Sequence, residues 1–356
     1  MSNVIGRTIP DDGSEAKDIA FANSLPERTD APSPSGAMGL VYFPVAKELA
    51  QVESTIQNEL SSDSAAVETL LNHSRSLGGK RLRPALLLLA AKSVGDVNPK
   101  HIFGAAALEM IHLATLIHDD VLDGAKTRRH QETAHEKFGT RSGVLLGDYL
   151  FTHSFWLASK TDSAGALRML AQASNLVCEG EISQGASESN FDLTESDYLT
   201  IVSQKTGELC AVACGMGVKI SGADNESVDQ WTQYGRNLGI AFQIIDDVLD
   251  LIGDPAKVGK TLGTDLQNRK PTLPVIRALS VSDDGQRNRL LGLLREETVN
   301  VEAVVNELRS HSSIEYSRQM ARSYAQRAVA FMDSQPASES NTALRTIAEM
   351  MVHRAS

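Results

Sequence analysis

From Lys100 to Asp254 apolar residues recur at spacings of three and four among Ala, Leu, Ile, Glu and Gln, and no proline interrupts them. That period marks a helix face, and hairpin signals such as Asn-Gly are absent. Long helices are predicted. One should run from about Pro99, a residue suited to a first turn, to Asp123. Another should run from about Ser227 to Ile252 and stop at Gly253-Asp254-Pro255. Helices should start near Val41 and continue almost to the C-terminus, with no linker after residue 44 and no short-period repeat. The longest apolar run, around Ala85–Ala91, is far below the roughly 18 residues that span a bilayer and reads as buried helix.

Five of the eleven prolines fall in the first 44 residues, mixed with Ser, Gly and Asp. Residues 1–38 therefore read as a disordered, dispensable extension, and 39–356 as one all-α domain. The start shows no signal-peptide pattern, and Asp11, Asp12, Glu15 and Asp18 argue against a transit peptide, so a cytoplasmic home is expected. A net charge of -11 makes free nucleic acid an unsuitable partner. Cys178, Cys210 and Cys214 make no disulfide framework and read as reduced core residues.

The strongest chemical signal is duplicated. Asp119-Asp120-Val-Leu-Asp123 ends one predicted long helix and Asp246-Asp247-Val-Leu-Asp250 ends another. In each, the first and last carboxylates share a helix face and repel one another unless something neutralises them. A solvated acidic helix end is the bland alternative, but apolar flanks (Leu113–Ile117 and Ile240–Ile245) place both clusters at the rim of a greasy interior. Hard oxygen ligands in this number suit Mg²⁺ bridging to phosphate oxygens. Gly78-Gly79-Lys80-Arg81-Leu82-Arg83-Pro84 pairs glycines that permit close backbone approach to an anion with three cations. Arg128-Arg129 follows the first acidic cluster. Lys205-Thr206, Gly259-Lys260 and Asp265 through Lys270-Pro-Thr-Leu-Pro274 add further cations around the acidic clusters.

In this order the motifs resemble those of the trans-prenyl diphosphate synthase family, from about Tyr42 through Pro274. The resemblance implies an all-α helical bundle around a central elongation cavity, joining isopentenyl diphosphate head-to-tail to an allylic diphosphate. It implies about three Mg²⁺ held by Asp119, Asp120, Asp123, Asp246, Asp247 and Asp250. Arg128, Lys205, Lys260 and Lys270 would contact the allylic diphosphate. Gly79, Lys80, Arg83, His112 and Arg129 would bind isopentenyl diphosphate, and Thr206 and Gln243 would line the forming cation. His118 reads as structural. A homodimer is implied, with peripheral membrane contact for product release. Two departures stand out: His130 and Arg269 occupy positions where the family usually has glycine.

A class I terpene cyclase would need neither the GGKRLRP segment nor a second aspartate motif. Membrane-embedded aromatic prenyltransferases would need several spanning helices. A catalytically silent subunit would be expected to lack some of the six aspartates. Product length is read from Ala114 and Thr115, small residues five and four positions before Asp119. Ala114 lies about 7.5 Å deeper along the helix. In the family a large aromatic residue at this level stops elongation early, so small ones imply a long product rather than a farnesyl or geranylgeranyl chain. Phe155 and Trp156 are candidates for a deeper floor.

Overall fold

Asn98 opens the helix Pro99–Leu122. Its side-chain oxygen accepts from the Lys100 N–H at 3.0 Å, while His101 Nδ1 accepts from the Asn98 N–H at 3.1 Å. Asp224 caps Asn225–Ile252 in the same way, accepting from the Ser227 N–H at 2.8 Å, and Gly253 ends it. The expected helices thus form within two residues of their predicted ends.

These features come from a computed structural model that describes residues 37–76, 79–128, 131–253 and 262–354. The N-terminal extension to residue 36, Gly78, Arg129, His130, Gly259 and Lys260 lie outside the described residues.

The first helices are α1 (Ala37–Val41), α2 (Ala46–Glu59), α3 (Ala65–Ser76), α4 (Leu82–Val94) and α5 (Pro99–Leu122). Next come α6 (Ala134–Phe138), α7 (Thr140–Ser159), α8 (Ala164–Ala186) and α9 (Glu195–Val202). A π-helical turn, Ser203–Gly207, joins α9 to α10 (Glu208–Ile220), and α11 (Asn225–Ile252) follows. The remainder is α12 (Thr264–Gln267), α13 (Leu273–Val281), α14 (Asp284–Leu294), α15 (Val301–Ser310), α16 (Ser313–Asp333) and α17 (Glu339–Arg354). One antiparallel pair that the sequence did not signal, β1 (Thr127–Arg128) with β2 (Gln131–Glu132), sets Thr127 opposite Glu132 just after α5.

The all-α expectation holds. Helix α5 packs on α7, α4 and α2, while α10 packs on α4 and α11 and α16 covers α11. In α4 every residue from Pro84 to Ala91 is buried, as befits a helix that is apolar all round. Leu86 to Leu89 are fully buried and contribute about 1.5–3 kcal/mol each relative to exposure. A second buried cluster of Tyr198, Val202, Ile240, Ile244, Ile245, Leu273, Ile276 and Ala321 backs the C-terminal half of α11.

Three details bear on the sequence reading, and the last two correct it. By length and composition α5 is apolar enough to cross a membrane, with a mean hydropathy of 1.3 over 18 residues. However, 72% of that window is buried within the protein, so its apolarity is that of a core helix. Cys210 and Cys214 are buried as expected, but Cys178 is exposed on α8. Trp156, offered as a tunnel floor, is 58% exposed on α7 with the Lys160 ammonium 5.2 Å above its ring.

Candidate active site

The first acidic cluster sits where α5 ends, and each of its carboxylates meets a different environment. Asp120 is buried and takes a forked contact from Arg128, with Nε 2.9 Å from both oxygens and a terminal nitrogen at 2.8 Å. The β1–β2 ribbon carries that arginine back over the helix end. Asp123 caps α5 and accepts from Lys270 Nζ at 2.8 Å, which joins the first cluster to the loop after the second. Burial, helped by the charges of Glu181 and Asp123, pushes the Asp119 carboxyl up to about 6 against the pull of Lys205 and Arg128.

Lys205 and Thr206 lie in the π-helical turn. Such a turn holds one residue more than an α-turn and often marks a functional position. Two glycines make room for it: a Cβ on Gly180 would lie 2.8 Å from the Lys205 nitrogen, and one on Gly239 2.7 Å from Gly207 Cα. Lys205 Nζ is 2.6 Å from Glu181 and donates to Gln184 Oε1 at 2.7 Å.

From the same turn a chain of hydrogen bonds runs into the second cluster. Thr206 Oγ1 donates to Gln243 Oε1 at 2.8 Å, and Gln243 Nε2 donates to Asp247 Oδ1 at 2.7 Å. Tyr198 donates its phenolic hydrogen to Asp247 Oδ2 at 2.6 Å. Asp247 is buried, which drives its carboxyl well above the ordinary range, and the charge of Asp265 adds to the effect. Asp250 is held by the following loop, where Gly263 at φ 73° donates its N–H to the Asp250 carbonyl at 2.7 Å. The Asp265 N–H donates to the Asp250 carboxylate at 3.1 Å.

Arg269, standing where glycine is usual, adopts φ 54°. The loop keeps a left-handed backbone there without glycine, at a cost of roughly 1–2 kcal/mol. Its carbonyl accepts from the Ser189 N–H at 2.8 Å, and the Lys270 N–H donates to the Asp265 carbonyl at 2.8 Å.

The glycine-rich segment leads into the N-terminus of α4. Gly79 and Lys80 are exposed. Arg83 is half-buried, and its Nε is buried without a hydrogen-bond partner. Such an orphan donor costs about 1–3 kcal/mol. Arg81, counted with these cations in the sequence, turns inward to Glu53 and Glu109. His112 is half-buried on α5, seven residues before Asp119. Ala114 is fully buried, whereas Thr115 is partly exposed and donates its hydroxyl to the His112 carbonyl at 2.8 Å.

The structure therefore joins Asp120 to Arg128, Asp123 to Lys270, and Thr206 through Gln243 to Asp247. Lys205 acts electrostatically on Asp119. Tyr198, Glu181 and Gln184 were missed in the sequence. A helix-interior glycine beside Glu181 was the available hint, since Gly180 costs about 1 kcal/mol there unless close packing requires it.

Two acidic helix ends, threaded with cations above an apolar helical core, define a protein built for a substrate with a polyanionic head and a greasy tail. The polyprenyl synthetase family model matches residues 64–310. The octaprenyl diphosphate synthase of Escherichia coli is 34% identical over 311 residues, spanning 87% of this chain and 96% of that protein. A geranylgeranyl diphosphate synthase of Methanosarcina mazei is also 34% identical, over 84% of this chain and 97% of its own length. The crystal structure of a polyprenyl synthase from Caulobacter crescentus, complexed with calcium and isoprenyl diphosphate, superposes with a TM-score of 0.83. It is 34% identical and covers 90% of this chain and 99% of its own. The chain belongs to the polyprenyl synthetase family. Its fold is the all-α isoprenoid synthase fold, and it is a prenyltransferase that uses isopentenyl diphosphate and an allylic diphosphate.

Proposed function

We propose that the chain is a Mg²⁺-dependent trans-polyprenyl diphosphate synthase that makes a long product, six or more isoprene units. The observation that carries the reading is the linkage between the clusters: Lys270 from the loop after the second cluster pairs with Asp123, and Thr206, next to the Lys205 that acts on Asp119, is bonded through Gln243 to Asp247.

The residues fit a divalent ion. Asp119 carries its negative charge against burial and two like charges, an imbalance that an added cation corrects. Among the described residues no three acidic, His or Cys side chains are gathered so as to hold a metal ion by themselves. Mg²⁺ commonly takes only one or two carboxylates and completes its shell with water and phosphate oxygens. Asp119, Asp120 and Asp123 with Asp246, Asp247 and Asp250 would hold such ions, about three in all. When bound they supply Lewis-acid polarisation of diphosphate oxygens.

The rest of the chemistry belongs to the side chains. Arg128, Lys205, Lys260 and Lys270 receive the allylic diphosphate as it leaves with the electron pair of the broken C–O bond. Thr206 commits its hydroxyl hydrogen to Gln243, so its lone pairs remain to stabilise the allylic cation. The alkene of isopentenyl diphosphate, held by Gly79, Lys80, Arg83, His112 and Arg129, forms the new C–C bond. The proton then lost passes to the departed diphosphate. The buried apolar surroundings exclude water that would quench the cation.

Incubating the protein with isopentenyl diphosphate, Mg²⁺ and allylic primers of several lengths, then sizing the dephosphorylated products, tests this reading. Absence of any elongated product would end it. Lys80→Ala and Arg83→Ala should each raise the KM for isopentenyl diphosphate far more than that for the primer, by a contact worth about 2–5 kcal/mol. Initial rates with each substrate varied in turn check this, and a larger effect on the primer would reverse the two sites.

A homodimer in the cytoplasm, with residues 1–38 dispensable, completes the proposal. Leu145 and Trp156, three turns apart on α7, are 54% and 58% exposed, and Val144, next to Leu145 in the chain, is 39% exposed. These exposed apolar side chains are the candidate contact with a second copy of the chain. Light scattering and activity assays on the full chain and on a form lacking Met1–Met38 should show an active dimer in both cases. An active monomer would contradict the assembly.

A further inference from the structure

Arg81 stands at the N-terminus of α4 with φ 51° and ψ 32°, a left-handed conformation that a side-chain-bearing residue rarely adopts. Its guanidinium is held by two carboxylates. Nε donates to Glu53 Oε2 at 2.8 Å and one terminal nitrogen to Glu53 Oε1 at 3.1 Å, while the other donates to Glu109 Oε1 at 2.8 Å. Glu53 lies on α2 and Glu109 on α5. Glu109 is 5% exposed, and its second oxygen is buried without a partner. An ion pair this deep gives little net stability over a well-packed apolar substitute, so stability alone is a weak reason for it.

Geometry supplies a stronger one. Glu109 and His112 are three residues apart on α5 and share its face. Arg81 lies between Lys80 and Arg83. One guanidinium therefore ties the segment that carries Lys80 and Arg83 to α5, the helix that carries His112. Its planar fork matches two carboxylates at once, which a lysine ammonium would not do. At this left-handed residue the side chain lies inward on two carboxylates, whereas Lys80 before it is exposed.

We propose that Arg81 is a positioning residue: clamped by Glu53 and Glu109, it sets the spacing between the Lys80–Arg83 loop and His112 and thereby the affinity for isopentenyl diphosphate. This rests on the proposed role of that loop.

The test uses the full chain and the Arg81→Met, Arg81→Lys and Glu109→Gln variants. Three quantities are read: the KM for each substrate, the Kd for isopentenyl diphosphate without primer by calorimetry, and the melting temperature. Arg81→Met should raise both the KM and the Kd for isopentenyl diphosphate about tenfold or more, equivalent to about 1.4 kcal/mol. The primer KM should stay within about twofold. Arg81→Lys should recover only part of the loss, because its ammonium lacks the fork.

A folded Arg81→Met protein that binds isopentenyl diphosphate as wild type does, or whose two KM values rise together, would overturn the inference. If Arg81→Met does not fold, Glu109→Gln, which retains an acceptor of the same shape, is judged by the same outcomes. Wild-type protein that neither binds nor turns over isopentenyl diphosphate would instead remove the functional reading beneath it.

Discussion

Replacing Asp119 with Asn should lower kcat/KM by about a thousandfold or more, yet leave the ligand-free protein as stable as before or more so. Several kcal/mol of transition-state stabilisation are at stake, and each 1.36 kcal/mol is a factor of ten. The stability half of the prediction follows from the carboxyl's rise from 3.8 to about 6. That rise disfavours the anion by on the order of 3 kcal/mol at neutral pH. A raised carboxyl contributes stability that is present below about pH 4 and lost as pH climbs through about 6. In thermal scans without metal, wild type should therefore lose stability between pH 4 and 7 more steeply than Asp119→Asn. Asp246→Ala should be similarly inactive. Near-normal turnover in the Asp119 variant, or in wild type with EDTA, would remove the assigned role.

The sequence made the fold legible because helical periodicity and its punctuation act locally. Pro99 and Gly253 mark helix boundaries whatever packs against them. The six aspartates were legible for the same reason, since a charged motif at an apolar helix end is a local contradiction. Partnerships across the molecule were not. Arg81 reads as one of three like cations, and only the fold shows it paired with Glu53 and Glu109, 28 residues away on either side. Tyr198 reads as an ordinary aromatic until α9 and α11 bring it to Asp247, 49 residues on. The β1–β2 ribbon escaped because two-residue strands are too short to show any alternation.

An Ala114→Phe variant should perform its first condensation and then release a shortened product. Ala114 is fully buried, about 7.5 Å along α5 from Asp119 and amid the core that α5 shares with α7. A growing chain anchored at the aspartates and running into that core would meet the new ring only once its tail reaches this level. Overfilling the interior costs roughly 1–3 kcal/mol, so the variant should still fold. Sizing the products of wild type and variant under identical conditions reads the outcome. An unchanged product distribution would mean that Ala114 does not line the path of the chain, and the long-product reading would lose its support. If Ala114 serves only close helix packing, the variant should lose stability with no change in product length.

The five-residue turn at Ser203–Gly207 has a consequence for how the site could be lost. In a regular helix each residue advances the side chains by about 100° around the axis. A π-helical turn absorbs one residue beyond that count, so α9 and α10 keep nearly the phase of a continuous helix while the turn itself bulges outward. Deleting any one residue from the turn would let a straight α-helix close across it. Tyr198 on one side and α10 on the other would keep nearly their present relation, but the residues left in the turn, Lys205 and Thr206 among them, would be drawn into the regular path and displaced around the axis by up to about that same angle. All the side chains could survive such a change, while the arc in which they face one another would be gone. In this segment the site depends on chain length as much as on residue type.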